Sequence, residues 1–323
     1  MGFTPGPGQV VQSVLAPAGA AALSIASLWQ LMLWTAVTVF SLTMVLLFAG
    51  VVRGLHRNGE NAPPAPSERG MTRAVASGVA LTVLILVGLL VASVFTGRTV
   101  AAQPRNAVNI DVSGHQWWWE VKYPEGVADQ TFTTANEIHV PIGRPVVLKV
   151  ESRDVIHSFW VPNLQGKRDL IPGYTTAIWL QADRQGRFRG QCAEFCGKQH
   201  AHMAFEVVAE PDDVFESWRA HMREPARDPP TAQAAHGRDL FMRDRCAGCH
   251  TVRGTDAGGL AGPDLTHLAS RQTIAAGMLP NTASHLADWI TRSQDIKPYN
   301  QMPPTAYSRD ALDALVVYLQ SLQ

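Results

Sequence analysis

The stretch GQCAEFCGKQHAHM, residues 190–203, puts two cysteines, two histidines, a glutamate and a methionine into fourteen positions. Thiolate and thioether donors beside imidazoles suit copper or zinc better than a hard cation. One blue copper takes two histidines, one cysteine and a weak methionine. Cys192, His200 and Met203 offer three of these, and His157 in DVIHSFW, at the end of an earlier strand pattern, offers the fourth. Cys196 is then left over. Two thiolates are one too many for a single blue copper but can bridge two coppers. His157 and His200 then terminate one metal each, Met203 binds one weakly, and a backbone carbonyl completes the other. Zinc held by Cys192, Cys196, His200 and His157 is a chemical alternative. A Cys192–Cys196 disulfide is another, and it leaves the clustered histidines without a role. Taken singly, Met203 reads as core packing and His202 as a surface residue.

A second cluster, CAGCH at Cys246–His250, fits c-type haem attachment. Two thiols at this spacing add to the vinyl groups, and the adjacent histidine coordinates iron. No second zinc half-site accompanies it. A low-spin carrier needs a sixth ligand, and methionine there raises the potential. Met302 in YNQMPP and Met278 in GMLPN are the candidates. Prolines stiffen the loop around Met302, so its sulfur can be presented with little ordering entropy.

The chain has 323 residues and only these four cysteines, in two close pairs, which suits cofactors and not a disulfide framework. Lys+Arg and Asp+Glu number 27 each, so bulk charge indicates no nucleic-acid partner. From Ala232 onward eight basic residues face eight acidic ones, which marks no docking face.

The elements that must position these clusters follow from patterning. Leu28–Val52 and Ala74–Phe95 are uncharged and exceed the roughly 20 residues a helix needs to cross hydrocarbon, so they read as a transmembrane hairpin. Arg53, Arg57, Arg69 and Arg73 in and beside the joining loop place it on the cytoplasmic side, with both termini outside. Trp29 and Trp34 serve as interfacial anchors or pack on a partner helix. An exported N-terminus ordinarily follows a signal peptide, and no basic region precedes the first run, so Met1 is expected to begin a processed or engineered form. After residue 98, short alternating segments from VNIDVSGHQWWWEVKYP to MAFEVVAE predict an antiparallel β-sandwich or barrel. The Pro-rich run REPARDPPTAQ, 223–233, reads as an extended linker. Helical patterns follow, ending in SRDALDALVVYLQSLQ with Ser308 as N-cap. The expected segments are therefore 1–27, a hairpin 28–98, a β domain 99–222, the linker, and an all-α domain 234–323.

CAEFCGKQHAHM, DVIHSFWVP and GHQWWWEVKYP together resemble the dinuclear copper A domain of cytochrome c oxidase subunit II, a cupredoxin fold, and the hairpin is that subunit's arrangement. Gly237, Phe241, GPDL at 262–265 and the MPP loop resemble class I cytochrome c. The fusion resembles the caa-type branch of bacterial haem-copper oxidases. Residue by residue, the resemblance implies copper ligation by His157, Cys192, Cys196, His200 and Met203 through side chains and by Glu194 through its carbonyl. It implies that the Glu194 carboxylate also reaches a magnesium ion at the interface with subunit I, a hard-ligand role. It implies that Trp117 admits electrons, with Trp118 in reserve, that the Pro263 carbonyl orients His250, and that Met302 is the axial methionine.

The implied function is electron transfer within a membrane terminal oxidase, a respiratory oxidoreductase and translocase of the bacterial inner membrane. Cytochrome c or another periplasmic donor reduces haem c, the electron passes to the copper pair, and subunit I reduces oxygen, with subunit III and lipid as further neighbours. No acid-base or nucleophilic catalysis falls to this chain. One departure concerns Glu68: many family members have E-x-x-W-T before the second helix, whereas SERGMTRAV lacks the tryptophan, so proton uptake is not assigned to Glu68. Two rivals are the same module serving a copper A nitric oxide reductase and a membrane-anchored copper carrier, against which the covalent haem motif argues.

Overall fold

Two long helices carry the apolar runs: α1, Ala20–Leu55, and α2, Glu68–Ala101. They extend beyond the uncharged runs because the flanking Ala, Leu, Met and Arg residues are themselves good helix formers. The Ser67 hydroxyl caps α2 by accepting from the Gly70 N–H at 3.2 Å, and Glu68 sits in the first turn, where a negative charge complements the helix dipole. Hydroxyls of Thr35, Thr43 and Thr82 donate to the carbonyl four residues back at 2.8, 2.8 and 2.9 Å, so these polar atoms need no water. Both helices are long and apolar enough to cross a membrane, and α2 buries no residue. The computed structural model describes residues 9–56, 67–124, 126 and 130–323, which leaves Arg57, most of the joining loop and the first eight residues outside the described part.

Helices α1 and α2 form one unit from Leu23 to Ala102, and residues 1–22 with 103–323 form the other. The second unit begins with a short strand, β1 (Val10–Val11), and then two packed sheets. One orders β4 (Phe132–Ala135), β3 (Trp118–Tyr123), β2 (Val108–His115), β6 (Val146–Ser152) and β9 (Thr176–Leu180). The other orders β5 (Glu137–Pro141), β11 (Ala204–Glu210), β10 (Gly186–Cys192), β7 (His157–Trp160) and β8 (Arg168–Leu170), with β1 beside β10. Ile110, Val112, Trp119 and Leu148 from the first sheet and Phe159, Phe188, Phe205 and Val207 from the second fill the core between them. The sheets are mixed, not purely antiparallel as expected, because β2–β6, β5–β11 and β1–β10 run parallel. Alternation reveals which face of a strand is buried, not the direction of its partner.

A helix absent from the sequence-based expectation, α3 (Asp212–Arg223), closes this part by burying Phe215 and Met222. Residues 224–231 then run without regular structure. They are tied down at several points: the Ala226 N–H donates to Arg253 O at 2.9 Å, and His267 Nε2 lies 3.0 Å from Glu224 O. Beyond them come α4 (Ala232–Arg243), the single turn α5 (Cys246–Cys249), the small β12–β13 ladder (Thr273–Ile274 and Leu279–Pro280), α6 (Ala283–Ile296) and α7 (Arg309–Ser321). Helices α4 and α7 cross at Gly237, where a Cβ would lie 2.0 Å from Ala314 O. Only glycine permits that approach.

Candidate metal centres

Strand pairing assembles the first cluster. Cys192 ends β10 and Met203 precedes β11, and the Cys192 N–H donates to Met203 O at 3.0 Å, which closes the intervening loop. His157 opens β7, which pairs with β10 so that Cys192 faces Phe159. Within the loop, Gly197 takes φ +110°, and a Cβ there would lie 3.1 Å from the Trp117 ring. The His200–His202 stretch forms a 3-10 turn. Gly114 lies under His157, where a Cβ would come within 2.8 Å of the imidazole.

The donors surround two sulfurs. Cys192 Sγ and Cys196 Sγ are 3.7 Å apart; His157 Nδ1 lies 3.8 Å from the first and His200 Nδ1 3.6 Å from the second. Glu194 O is 3.2 Å from Cys192 Sγ, and Met203 Sδ is 3.8 Å from Cys196 Sγ. Ligand bonds of about 2.0–2.3 Å in a tetrahedron give donor separations of roughly 3.3–3.8 Å, a range that holds the four sulfur–sulfur and sulfur–nitrogen separations here, with the Glu194 carbonyl slightly closer. His157, Cys192 and Cys196 form one group with all donor atoms within 4.8 Å of one another, and His200 stands outside it. One tetrahedral zinc would need all four together; two metals sharing both sulfurs fit the set.

The surroundings orient these groups and set their protonation. The close thiol pair favours one thiolate: hydrogen bonding from Cys196 pulls Cys192 down to about 3 and pushes Cys196 up. Asp154 Oδ1 is 2.7 Å from His157 Nε2, which fixes the ring so that Nδ1 faces Cys192. Burial disfavours a charged His157, but its bonds to Asp154 and Cys192 outweigh burial and raise its pKa. Burial likewise opposes a charged Asp154, yet His157 and the Gln116 and Val155 amides hold it below the usual carboxylate range. Beneath the site, Trp119, Phe159 and Phe205 pack with ring centroids 4.6–6.0 Å apart.

Trp117 is buried beside the loop and donates from Nε1 to Cys196 O at 2.9 Å, where Gln116 Nε2 also donates at 2.8 Å. Trp118 points elsewhere and stacks on His115 at 4.4 Å. The Glu194 carboxylate is half-exposed, 3.9 Å from Lys167 Nζ. His202 is exposed and bonds through Nδ1 to Gln199 Oε1 at 2.7 Å.

In the second cluster, α5 places Cys246 and Cys249 one helical turn apart, and His250 follows as the C-cap. His250 Nδ1 lies 2.8 Å from Pro263 O, which leaves Nε2 for a ligand, and burial lowers its pKa, favouring the neutral imidazole. A Cβ on Gly262 would come within 2.6 Å of that ring. Met302 packs against the same apolar cluster as Cys246. Its N–H donates to Asn300 Oδ1 at 2.7 Å, and its carbonyl accepts from Ser293 Oγ at 2.8 Å and Gln294 Nε2 at 3.0 Å. Met278 is half-buried and lies outside that cluster. A pair of thiols one turn apart and an oriented neutral imidazole fit covalent haem.

Residues 125–210 match the family described as cytochrome c oxidase subunit II, periplasmic domain, and residues 234–323 match cytochrome c. Cytochrome c oxidase subunit 2 of Alkalihalophilus pseudofirmus is 41% identical over 221 residues, 68% of this chain and 62% of that protein. The alternative cytochrome c oxidase subunit 2 of Bradyrhizobium diazoefficiens is 30% identical over 212 residues, 56% of this chain and 75% of that protein. The chain belongs to the cytochrome c oxidase subunit II family. Subunit 2 of Bacillus subtilis is similar over 98% of this chain and 94% of its own length, at 28% identity. A subunit II periplasmic domain implies copper A, and the cytochrome c domain implies haem c.

Three residues around the subunit II sites escaped the sequence reading. Asp154 had a usable signal, a carboxylate three positions before a candidate ligand histidine. Gln116 sits inside the aromatic motif and was overlooked beside it. Lys297, whose Nζ donates to Trp117 O at 2.7 Å, had none, since its partner lies 180 positions away.

Proposed function

We propose that this chain is the electron-transfer subunit of a membrane terminal oxidase, with haem c and copper A in one polypeptide. The observation that carries the reading is the close sulfur pair with an imidazole beside each sulfur, in the same compact unit as the CAGCH turn. When bound, the two groups supply one-electron redox chemistry. His157, Cys192, Cys196, His200, Met203 and the Glu194 carbonyl hold the copper pair; Cys246, Cys249, His250 and Met302 hold the haem. Asp154 and Pro263 O fix the two histidine rings, so little rearrangement accompanies a change of charge. Trp117 is the residue through which the electron reaches the copper loop, which its hydrogen bond to Cys196 O supports.

Helices α1 and α2 anchor the chain as a two-pass protein in the lipid of a bacterial inner membrane, with the metal-binding parts outside. Subunit I is the acceptor and reduces oxygen, subunit III accompanies it, and the Glu194 carboxylate ligates magnesium at the subunit I interface. A soluble cytochrome c or similar donor reduces the haem.

The test is oxygen and nitric oxide consumption by the intact detergent-purified complex with reduced cytochrome c. Rapid cyanide-sensitive oxygen uptake supports the reading. Nitric oxide turnover without comparable oxygen uptake would keep the electron module and replace the reaction with that of a nitric oxide reductase.

A further inference from the structure

Lys297 follows α6 and is only 3% exposed. Its Nζ donates to Trp117 O at 2.7 Å and to Ala275 O at 3.2 Å, and it forms no ion pair with a described carboxylate. Burying an ammonium is costly unless strong acceptors replace water, so these carbonyls must be held in place. The contact is part of a seam between the haem-binding and copper-binding parts. Gln199 Nε2 donates to Pro298 O at 2.9 Å, and the Ala204 N–H donates to Ala276 O at 3.2 Å. Gln199 and Ala204 flank His200 and Met203 in the chain. Ala275, Ala276 and Gly277 all have positive φ, 55°, 59° and 78°, an uncommon run for alanines that brings two successive carbonyls to the seam. Trp117, whose ring belongs to the core of the copper-binding part, is 7% exposed.

Asn300 joins this seam to the candidate axial ligand. Its Nδ2 donates to Lys297 O at 2.7 Å, and its Oδ1 accepts from the Met302 N–H at 2.7 Å. From Lys297 the line continues to Trp117 O, and from the Trp117 indole to Cys196 O.

We infer that Lys297 is a positioning residue that pins the haem-binding part onto the copper loop, and that Asn300, Lys297 and Trp117 connect Met302 to Cys196 for internal electron transfer. The inference rests on the function proposed above. In the step it serves, one electron leaves the reduced haem and is taken up by the oxidised copper pair; no bond breaks and no proton moves.

The experiment compares the intact complex with its Lys297→Met variant. The haem is reduced rapidly and its electron followed to copper in a single turnover, and hydrogen exchange is measured at the Ala204 amide. The expected result is transfer slowed about tenfold or more, as misplacement of reacting groups predicts, with faster Ala204 exchange and unchanged copper absorption and haem potential. An unchanged transfer rate overturns the inference, as does slowing that coincides with an altered copper spectrum or haem potential. In the unmodified complex, exchange at Ala204 as fast as at an open surface amide would show the seam unformed and overturn it as well. Absence of any haem-to-copper transfer in the unmodified complex would instead sink the proposed function.

Discussion

The two candidate centres obtain their donors in different ways. The candidate copper donors hang on paired strands: β10 carries Cys192, its partner β7 carries His157, and the loop to β11 supplies the rest. The candidate haem donors come from one contiguous motif and from a methionine on a loop whose position depends on side chains of Ser293, Gln294 and Asn300. Sheet register therefore sets the geometry of the first, and local hydrogen bonds set that of the second. A change in the copper loop should act on one centre only, and a change near Met302 should tune the haem without loss of attachment.

The largest effect expected is from Cys196→Ser. If both sulfurs bridge the two metals as proposed, removing one would leave neither metal fully held, so copper content should fall well below that of the unmodified complex while covalent haem is unchanged. Metal analysis alongside haem spectroscopy checks this, and full retention of paired copper would mean that the sulfurs are not shared. Next in size is Met302→Leu. Loss of a thioether axial ligand lowers the haem potential and opens the iron to added ligands, with the haem still covalently attached. Met278→Leu should do neither; if their effects are exchanged, the loop at 300–302 is not the ligand loop.

The comparison also explains what could be read from the sequence. CAGCH and CAEFCGKQHAHM are local, so spacing marked both as candidate metal-binding clusters, whereas His157 and Met302 lie outside them and were assigned to them by the family resemblance; the alternation of VNIDV and HSFW exposed the strands. Mixed sheet direction was hidden because β2 and β6 are joined in register over a long sequence separation, from Val108↔Val146 to Gly114↔Ser152. Helix α3 was hidden by a charged composition in which only Phe215 and Met222 are buried. Lys297 is one lysine before a proline, and nothing near it announces that it meets Trp117. Contacts that join the two centres are long-range, and periodicity carries no record of them.

Asp154 sharpens the contrast at smaller scale. Asp154→Ala frees the His157 ring while leaving every donor in place, and loss of such a supporting carboxylate costs roughly 10–100-fold in metal affinity. Copper release to a chelator should accelerate, while the haem potential stays constant. Asp154→Asn retains a hydrogen-bonding side chain and should lie between the two. Equal copper retention in all three proteins would show that the sheet alone orients His157.

The smallest effect concerns the scaffold of the copper-binding part. His139 is buried with Nδ1 2.9 Å from Glu210 Oε1 and Nε2 2.8 Å from Glu137 Oε1, and its ring stacks on Trp218 at 4.0 Å. Burial opposes its charge, but the two carboxylates outweigh burial and raise its pKa. Burial also opposes a charged Glu137, yet His139, with Arg271 and Arg187 near, leaves it below its ordinary value. A raised histidine contributes stability that is fully present below the unfolded value of about 6.5 and is lost as pH rises through the folded one. The Glu137 contribution has the opposite sense: present above its unfolded value of about 4.3 and lost as pH falls through the lower folded one. Thermal unfolding of the purified chain should thus show a decline in midpoint above neutral pH that His139→Phe flattens, since phenylalanine keeps the stacking on Trp218 and removes the titration. An equally steep decline in the variant would assign that pH dependence to other groups and leave the Glu137–His139–Glu210 cluster a matter of packing alone.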